Sequence, residues 1–264
     1  MTVSLIISTY NRPDALRLCL DSILRQTTLP DEVIIGDDGS ADDTRQVIED
    51  FRKKCPVPLK HIWHEDDGFR LAMMRNKSVA AASGDYIVQI DGDIVLERHF
   101  IADHKAAATE GYCVKGSRVR LTDEFSRRAC AEGVFKTPCI FSSGILKDRE
   151  KSIRMPLIGH ILSRRYKVDS TTGIGCNMAF WRSDFIAVNG YDEQFKGWGV
   201  EDNDLCIRLA KSGIHNFKLF RTGLCYHLYH REAGGTSERN LELLRQSKES
   251  DVIRCADGVD KYHN

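Results

Sequence analysis

Val3-Ser4-Leu5-Ile6-Ile7-Ser8-Thr9-Tyr10-Asn11-Arg12-Pro13 decides how the first third of the chain reads. The continuous apolar run from Val3 to Ser8 lacks polar alternation, as a strand covered on both faces should. After a turn at Asn11-Arg12-Pro13, Leu16, Cys19, Leu20, Ile23 and Leu24 recur at helical spacing, with Pro13 suited to the first turn. Val33-Ile34-Ile35 predicts a second strand ending in Gly36-Asp37-Asp38-Gly39-Ser40, and Ser40 with Asp43 reads as a capping signal for a helix through about Phe51. Leu59 to Trp63 predicts a third strand, Leu71 to Ser83 a third helix closed by Gly84, and Tyr86 to Ile90 a fourth strand that delivers Asp91-Gly92-Asp93. This alternation calls for an α/β fold with a Rossmann-like, doubly wound, mostly parallel sheet and right-handed crossovers. Ligands bind such sheets beyond the carboxyl ends of the strands. Those ends carry Thr9-Tyr10-Asn11, Asp37-Asp38, His64-Glu65-Asp66-Asp67 and Asp91-Gly92-Asp93, a polar and acidic rim.

Beyond this half, residues 112–121 and 137–145 are expected as strands, and Ser183 as the cap of a short helix ending near Gly190. Gly197-Trp198-Gly199-Val200-Glu201-Asp202-Asn203-Asp204 opens a helix that Leu205, Ile207, Leu209 and Ala210 pack down, and Ser237 to Ser250 reads as a terminal polar helix. With no repeat, low-complexity tract or linker, one continuous domain over 1–264 is the economical division.

Lysine plus arginine equals aspartate plus glutamate, 38 each in 264 residues, so overall charge gives no reason to expect a nucleic-acid partner. Nine cysteines without a repeating short spacing argue against a disulfide framework or zinc knuckle and for a reducing compartment. No basic leader and no run near the roughly 20 apolar residues of a membrane span is evident, so a soluble, cytoplasmic protein is expected. Residues 147–167 mix Lys147, Arg149, Lys151, Arg154, Arg164, Arg165 and Lys167 with Ile153, Leu157, Ile158, Ile161 and Leu162. Two readings stand for this stretch: an ordinary surface helix, or a flap or amphipathic face that touches anionic lipid at the inner side of a membrane.

Asp91 and Asp93 flank a glycine where a buried strand meets solvent, and such oxygen ligands suit magnesium or manganese shared with a diphosphate. Asp-Gly pairs are also ordinary turn residues. Asp38 is either a turn former or an acceptor for a ribose or pyrimidine NH, and Arg75 either a surface charge or a phosphate partner. Glu201 and Asp202 equally fit dipole complements of their helix.

Ser8-Thr9-Tyr10-Asn11-Arg12, Asp37-Asp38-Gly39-Ser40, Arg75-Asn76 and Asp91-Gly92-Asp93, in this order, resemble the nucleotide-sugar-binding half of family 2 glycosyltransferases of the GT-A fold. Gly173 to Phe180, Asn189-Gly190-Tyr191-Asp192-Glu193 and Gly197-Trp198-Gly199-Val200-Glu201-Asp202 resemble a segment shared by β-1,4-galactosyltransferases, chondroitin-type polymerases and polypeptide N-acetylgalactosaminyltransferases. The resemblance spans about residues 3–232. It implies a nucleotide-sugar half over 1–100, an acceptor and catalytic half over 101–232 forming a smaller subregion, and a helical tail over 233–264. Thr9, Tyr10, Asn11, Arg12, Asp38, Arg75, Asp91 and Gly92 would then line a UDP-sugar donor, with Trp198 stacking on a sugar face. Asp93 would ligate Mn2+ or Mg2+ directly, joined by His230 at the family's histidine position or by the neighbouring His227.

The implied reaction is an inverting attack by a saccharide hydroxyl, free or lipid-linked, on the anomeric carbon, with Asp202 as base and Glu201 positioning a sugar. Surface polysaccharide synthesis is the expected setting. The related pattern usually has glycine at Val200 and a third acid at Asn203, departures that bear on donor and acceptor preference. Three alternatives remain at this stage. One is a retaining N-acetylgalactosaminyltransferase-like enzyme. Another is a sugar nucleotidyltransferase, disfavoured because Ser8 to Arg12 holds no glycine-rich phosphate loop. The last is a non-catalytic module that binds carbohydrate or nucleotide-sugar.

Overall fold

In the computed structural model, which describes residues 1–165, 171–231 and 234–262, the first seven elements follow the expected alternation. They are β1 (Val3–Thr9), α1 (Pro13–Ile23), β2 (Glu32–Asp37), α2 (Asp42–Arg52), β3 (Leu59–Trp63), α3 (Leu71–Ala81) and β4 (Tyr86–Asp91). The chain continues through β5 (Ile94–Leu96), α4 (Phe100–Ala107), β6 (Tyr112–Lys115), β7 (Ser117–Leu121), α5 (Asp123–Glu132), β8 (Ile145–Lys147) and α6 (Pro156–Arg165). It closes with β9 (Asn177–Trp181), α7 (Arg182–Ala187), α8 (Glu201–Lys211), β10 (His215–Lys218), β11 (Leu224–His227) and α9 (Glu238–Glu249). Short 3-10 turns occupy Arg149–Ser152 and Val259–Tyr262.

Seven strands form one sheet in the order β10-β6-β9-β4-β1-β2-β3. It is parallel except where β9 runs against β4 and β6. Both faces are covered, which explains the unbroken apolar runs. Leu5, Ile7, Val33, Ile35, Val88 and Ile90 face α1 and α2 with Leu16, Leu20 and Val47. Ile6, Ile34 and Ile87 face the other way, onto α3, α7 and α8 through Val79, Phe185 and Leu205. A smaller sheet, β5-β11-β7-β8, packs with Ala15 and Leu18 of α1 and Ala129 of α5.

The register lines up the chemically interesting strand ends. Thr9 pairs with Asp37, Ser8 with Asp91, and Asp37 with Trp63. β9 enters antiparallel to β4 with Asn177 opposite Ile90, so residues 173–176 also lie at the rim. β5 then runs antiparallel to β11 with Ile94 opposite His227, which carries the second half's histidines back beside Asp93.

Four sequence expectations change. Ser40 does not cap α2: the helix starts at Asp42 behind Ala41, because the Ser40 hydroxyl accepts instead from the Asn11 amide at 2.8 Å. Residues 112–121 are two strands in different sheets, broken at Gly116, where a Cβ would lie 2.2 Å from Asn177 Oδ1. Residues 137–144 form no strand, since the Arg149 guanidinium takes the carbonyls of Ile140 and Ser142 that a ladder would need. Ser183 lies inside α7 with Trp181 at the cap position, because β9 runs to the helix without a loop. Ser237 does cap α9, accepting from the Asn240 amide at 3.1 Å. No helix among the described residues is long and apolar enough to cross a membrane. Tyr166 and Lys167, the end of the basic stretch, lie outside the described residues.

The turn before α8 has positive φ at Gly197, Gly199 and Val200, 77°, 107° and 68°. The left-handed region costs an L-residue roughly 1–2 kcal/mol, and a β-branched one is a true outlier there. Glycine is ordinarily the less stable of glycine and alanine, but at this position the order should invert. Val200→Gly is expected to exceed Val200→Ala in stability by about 1 kcal/mol in thermal denaturation, and equal or reversed stabilities would show that the backbone there is unstrained.

Candidate active site

Arg75, on α3, lies 1% exposed beneath the rim. Its Nη2 reaches Asp91 Oδ1 at 3.1 Å, and its Nη1 reaches Glu201 Oε1 at 3.2 Å and Asp202 Oδ1 at 2.8 Å. The guanidinium therefore faces the carboxylates of β4 and α8, where the sequence reading expected a donor phosphate. Arg75 also lies over the Tyr191 ring at 5.2 Å.

Asp202 accepts from the Tyr191 hydroxyl at 2.8 Å on Oδ1 and from the Gly175 amide at 2.9 Å on Oδ2. A carboxylate has about four lone-pair positions. Among the described residues three are taken, and one on Oδ2 remains. Gly175 must be glycine for this fit, since a Cβ would sit 2.3 Å from Asp202 Oδ2 and 2.5 Å from Arg75 Nη2. Asn203 accepts from the Gly173 amide at 2.7 Å, so the loop before β9 is fastened to the first turn of α8 at two points.

One guanidinium meets three carboxylates here, leaving an excess of negative charge. Burial, then the neighbouring Asp202, lifts the Glu201 carboxyl to about 7. Burial raises the Asp91 carboxyl as well, with Asp93 and Asp202 adding to it against Arg75.

Asp93 belongs to a second cluster. His227 Nε2 lies 3.4 Å from its Oδ1, and His230 Nε2 3.3 Å from its Oδ2. One ligand atom from each of Asp93, His227 and His230 falls within 4.8 Å of the others. The Leu228 amide donates to the Asp93 carbonyl at 3.0 Å, locking the β11 end to this residue. Asp93 Oδ1 is buried, and with His227 Nε2 only at the long distance of 3.4 Å it has no well-formed hydrogen bond, which leaves it open to an electropositive partner. The donor set, one carboxylate and two imidazoles, fits a divalent cation, and the imidazoles favour manganese over magnesium. Arg12 Nη1 also contacts Asp93 Oδ2 at 3.0 Å. Burial pushes the Asp93 carboxyl up, but His227, then His230 and Arg12, outweigh it and hold the group below its ordinary range.

Along the rim, Asp38 is buried, accepting from His64 Nε2 at 2.8 Å and from the Arg70 amide at 2.9 Å. Lys77 Nζ, a donor only, lies 2.9 Å from His64 Nδ1, which assigns the proton to Nε2. Burial raises the Asp38 carboxyl. His64, Asp66, Asp67, Arg70, Met73 and Lys77 line a cavity of about 520 Å³ beside it. Thr9 is buried, and its carbonyl accepts from the Asp38 amide at 3.0 Å. Tyr10 is exposed and donates to Asp66 at 2.8 Å, while Asn11 Oδ1 accepts from the Ala41 amide at 2.9 Å. Gly92 is held by Thr9, whose Oγ1 would lie 2.9 Å from an added Cβ. Trp198 is 44% exposed, in a turn tied to the rim by the Gly197 amide, which donates to the Phe69 carbonyl at 3.1 Å.

The sequence-expected residues thus fall on one rim, in three groups: Arg75 with Asp91, Glu201 and Asp202; Asp93 with Arg12, His227 and His230; and Asp38 with Thr9 nearby. Sequence reasoning assigned no role to Gly173, Gly175, Tyr191, His64 or Lys77. The Gly173-Ile174-Gly175 spacing was the available signal for the first two.

The mostly parallel α/β sheet with an acidic rim at its strand ends has the GT-A fold of its structural neighbours. The family model "Glycosyl transferase family 2" matches residues 4–188, and the chain belongs to that family. A model described as the N-terminal domain of galactosyltransferase matches residues 158–231. A validoxylamine A glucosyltransferase of Streptomyces hygroscopicus subsp. jinggangensis is 30% identical, the match covering 80% of this chain and 52% of that protein. The chondroitin synthase of Escherichia coli is 24% identical, over 85% of this chain and 34% of that one. The chain therefore spans about half or less of the length of these relatives. Among solved structures, S. aureus TarS 1-349 in complex with UDP superposes with a TM-score of 0.65 at 15% identity, over 99% of this chain and 68% of that one. GalNAc-T7 with UDP, GalNAc and Mn2+ gives a TM-score of 0.69 at 14% identity, over 94% of this chain and 48% of that one. The chain thus belongs to a glycosyltransferase family, and its relatives include a chondroitin synthase.

The raised Glu201 carboxyl has a measurable consequence. Between its unfolded value near 4.5 and its folded value of about 7, the native state holds a proton that the unfolded state has released. Stability attributable to Glu201 therefore falls as pH rises through that window and stays low above it. Glu201→Gln is expected to flatten this fall, gaining on the wild-type protein at pH 8 relative to pH 4 in chemical denaturation. Parallel stability curves across that range would remove the assignment.

Proposed function

We propose that the protein is an inverting, metal-dependent glycosyltransferase that moves a hexose or N-acetylhexosamine from a UDP-sugar to a saccharide hydroxyl, in the synthesis of a surface polysaccharide. The observation that carries this reading is Arg75, which bridges Asp91 at the end of β4 to Asp202 at the start of α8. A donor lying along Asp91 and Asp93 would thereby have its anomeric carbon close to the α8 lip. In the same reading the chain works as one domain, with residues 1–100 holding the donor and 101–232 the acceptor side.

Thr9, Tyr10, Asn11 and Asp38 would take the uridine, with Asp38 kept in place by His64 and the Arg70 amide. Arg12 and Gly92 would border the diphosphate, and the exposed Trp198 would stack on a sugar ring. Asp93, His227 and His230 would hold a divalent cation, Mn2+ in preference to Mg2+, which as a Lewis acid takes up negative charge on the departing diphosphate. His227, at a strand end, and Asp93, both held by the β5–β11 pairing, are the more rigid ligands, and the exposed His230 the adaptable one.

Asp202 acts as the base. The Arg75 guanidinium, the Tyr191 hydroxyl and the Gly175 amide all bond its ionised form, and its remaining Oδ2 position can take the acceptor's proton. As the new glycosidic bond forms on one face of the anomeric carbon, the bond to UDP breaks on the other, which inverts the centre. Arg75 positions Asp202, and touches no substrate in this scheme. Glu201, lifted to about 7 by burial, carries a proton in a large fraction of molecules near neutral pH and in that form can donate to a sugar oxygen and so orient it.

Asp202→Asn is expected to lower transfer by about a thousandfold while UDP binding stays within about threefold, as removal of a general base should. Turnover like that of the unaltered protein would take Asp202 out of the role. Calorimetry gives a second check: UDP binding should require manganese, and His227→Ala should weaken manganese binding beyond the roughly 10–100-fold typical of outer-shell partners. UDP binding indifferent to manganese would favour a non-catalytic module, and retention of configuration in the first-formed product by NMR would favour the N-acetylgalactosaminyltransferase-like mechanism.

A further inference from the structure

We propose that Arg118, on the face of the small sheet that also carries His227, is the anchor of an acceptor subsite for a saccharide bearing a carboxylate or a phosphate; this rests on the reading above that the protein transfers a sugar to a saccharide hydroxyl. Successive side chains of a strand point to opposite faces. On β7, Val119 and Leu121 face the small sheet's own core with Leu224 and Tyr226 of β11. Arg118 and Arg120 therefore face the other way, beside their β11 partners Cys225 and His227. That is the side of the Asp93 cluster. Arg118 Nη1 reaches the Cys176 sulfur at 3.2 Å, and the preceding residue, Gly175, donates its amide to Asp202. The guanidinium is thus one strand from His227 and one residue from the amide that holds the proposed base.

Arg118 lacks a counter-charge. Among the described residues its hydrogen-bond acceptor is the Cys176 sulfur, and burial pushes that thiol up to about 12, so it stays neutral. Arg118 is half-buried and none of its nitrogens is buried without a partner, so its unused N–H groups reach solvent. The surroundings add cations. Lys147, exposed on β8, pairs with Arg120 in the register, and Lys218 at the end of β10 has its ammonium lowered by burial and then by Lys151. The acid of this wall, Asp148, is already shared by Arg120 at 3.2 Å and Lys151 at 2.6 Å. The surplus of positive charge calls for an anion, and a planar guanidinium takes a carboxylate or phosphate through two parallel N–H bonds. Position separates this anion from the donor's diphosphate. A donor laid from Asp38 to Asp93 runs over β2, β1 and β4, whereas β7 continues from β6, on the far side of β9. The anion therefore belongs to the acceptor.

The test is binding of the full chain, with UDP and manganese present, to an array of oligosaccharides that carry a uronate carboxylate, a phosphate or no charge. The unaltered protein is compared with Arg118→Gln, Arg118→Lys and Lys147→Gln, and melting temperature and UDP binding are followed in parallel. The expected result is binding to carboxylate- or phosphate-bearing glycans that weakens with salt, falls about tenfold or more in Arg118→Gln and is partly restored in Arg118→Lys. Lys147→Gln should cost about threefold. Because Lys147 is exposed, that variant reads the same surplus of charge even where Arg118→Gln lowers the melting temperature. The anion that is held names the acceptor class. Equal binding to neutral glycans, no binding to either anionic set, or unchanged binding by Arg118→Gln overturns the proposal. So does a loss of UDP binding in Arg118→Gln that matches the loss of glycan binding, since the guanidinium would then serve the donor's diphosphate. Hydrolysis of no UDP-sugar alongside charge-dependent glycan binding would instead count against the transferase reading alone.

Discussion

A guanidinium buried at 1% exposure would be untenable without compensation, since removing one partner of a buried charge pair costs roughly 3–5 kcal/mol. Arg75 is compensated by carboxylates from two distant parts of the chain, Asp91 at the end of β4 and Glu201 with Asp202 at the start of α8. The next residue repeats the connection by hydrogen bonding: Asn76 Nδ2 donates to the Tyr191 carbonyl and to Glu193, and Asn76 Oδ1 accepts from the Tyr191 amide. Two adjacent positions of α3 thus pin the carboxyl half of the protein to the parallel half. The candidate active site lies on that seam, so its geometry and the fold's integrity rest on the same bonds.

The two acidic clusters differ in how their charge is balanced, and the difference supports the roles proposed for them. Around Arg75 the cation is internal and fixed, and protonation of Glu201 relieves the excess, suiting that cluster to hydrogen bonding and proton acceptance. Around Asp93 the partners are Arg12, part-exposed at the rim, and two imidazoles that present nitrogen lone pairs when neutral. A buried carboxylate oxygen without a well-formed hydrogen bond stands among them, 3.4 Å from the His227 ring. Such a set gains most from a cation brought in from outside, whereas the Arg75 cluster already holds one of its own.

Much of the fold was legible because its periodicities are local. The two-faced burial of β1, β2 and β4 and the helical spacing in α1 follow directly from the residues. The second half was harder to read because its ordering is non-local: β9 enters the main sheet against its neighbours, and Gly116 sends one apparent strand into two sheets. Of the site, the strand-end acids stood out by type and position, whereas the parts expected of the histidines and of the acids opening α8 came from the family resemblance. Arg75's inward orientation was not, because a sequence does not reveal whether a basic helix residue faces solvent or a carboxylate cluster. Nor was the role of Gly175, whose need for close approach appears only when Asp202 and Arg75 are both placed.

Val200 departs most clearly from the resembling motif, which usually has glycine there, yet the backbone retains the left-handed conformation that glycine would supply. A conformation that costs a valine of order 1–2 kcal/mol persists only where the surroundings over-determine it. The surroundings are identifiable. Asn240 of α9, 1% exposed, donates to the carbonyls of Lys196 at 3.1 Å and Gly199 at 3.3 Å, clamping both ends of the Trp198 turn. Phe69 holds the same turn from the rim, and Phe195, Ile207 and Leu244 pack beneath it, with Val200 against them. The valine's apolar contact partly offsets its own strain and couples α9 to the first turn of α8. The terminal helix, polar along most of its length, thereby becomes part of what aims Glu201 and Asp202.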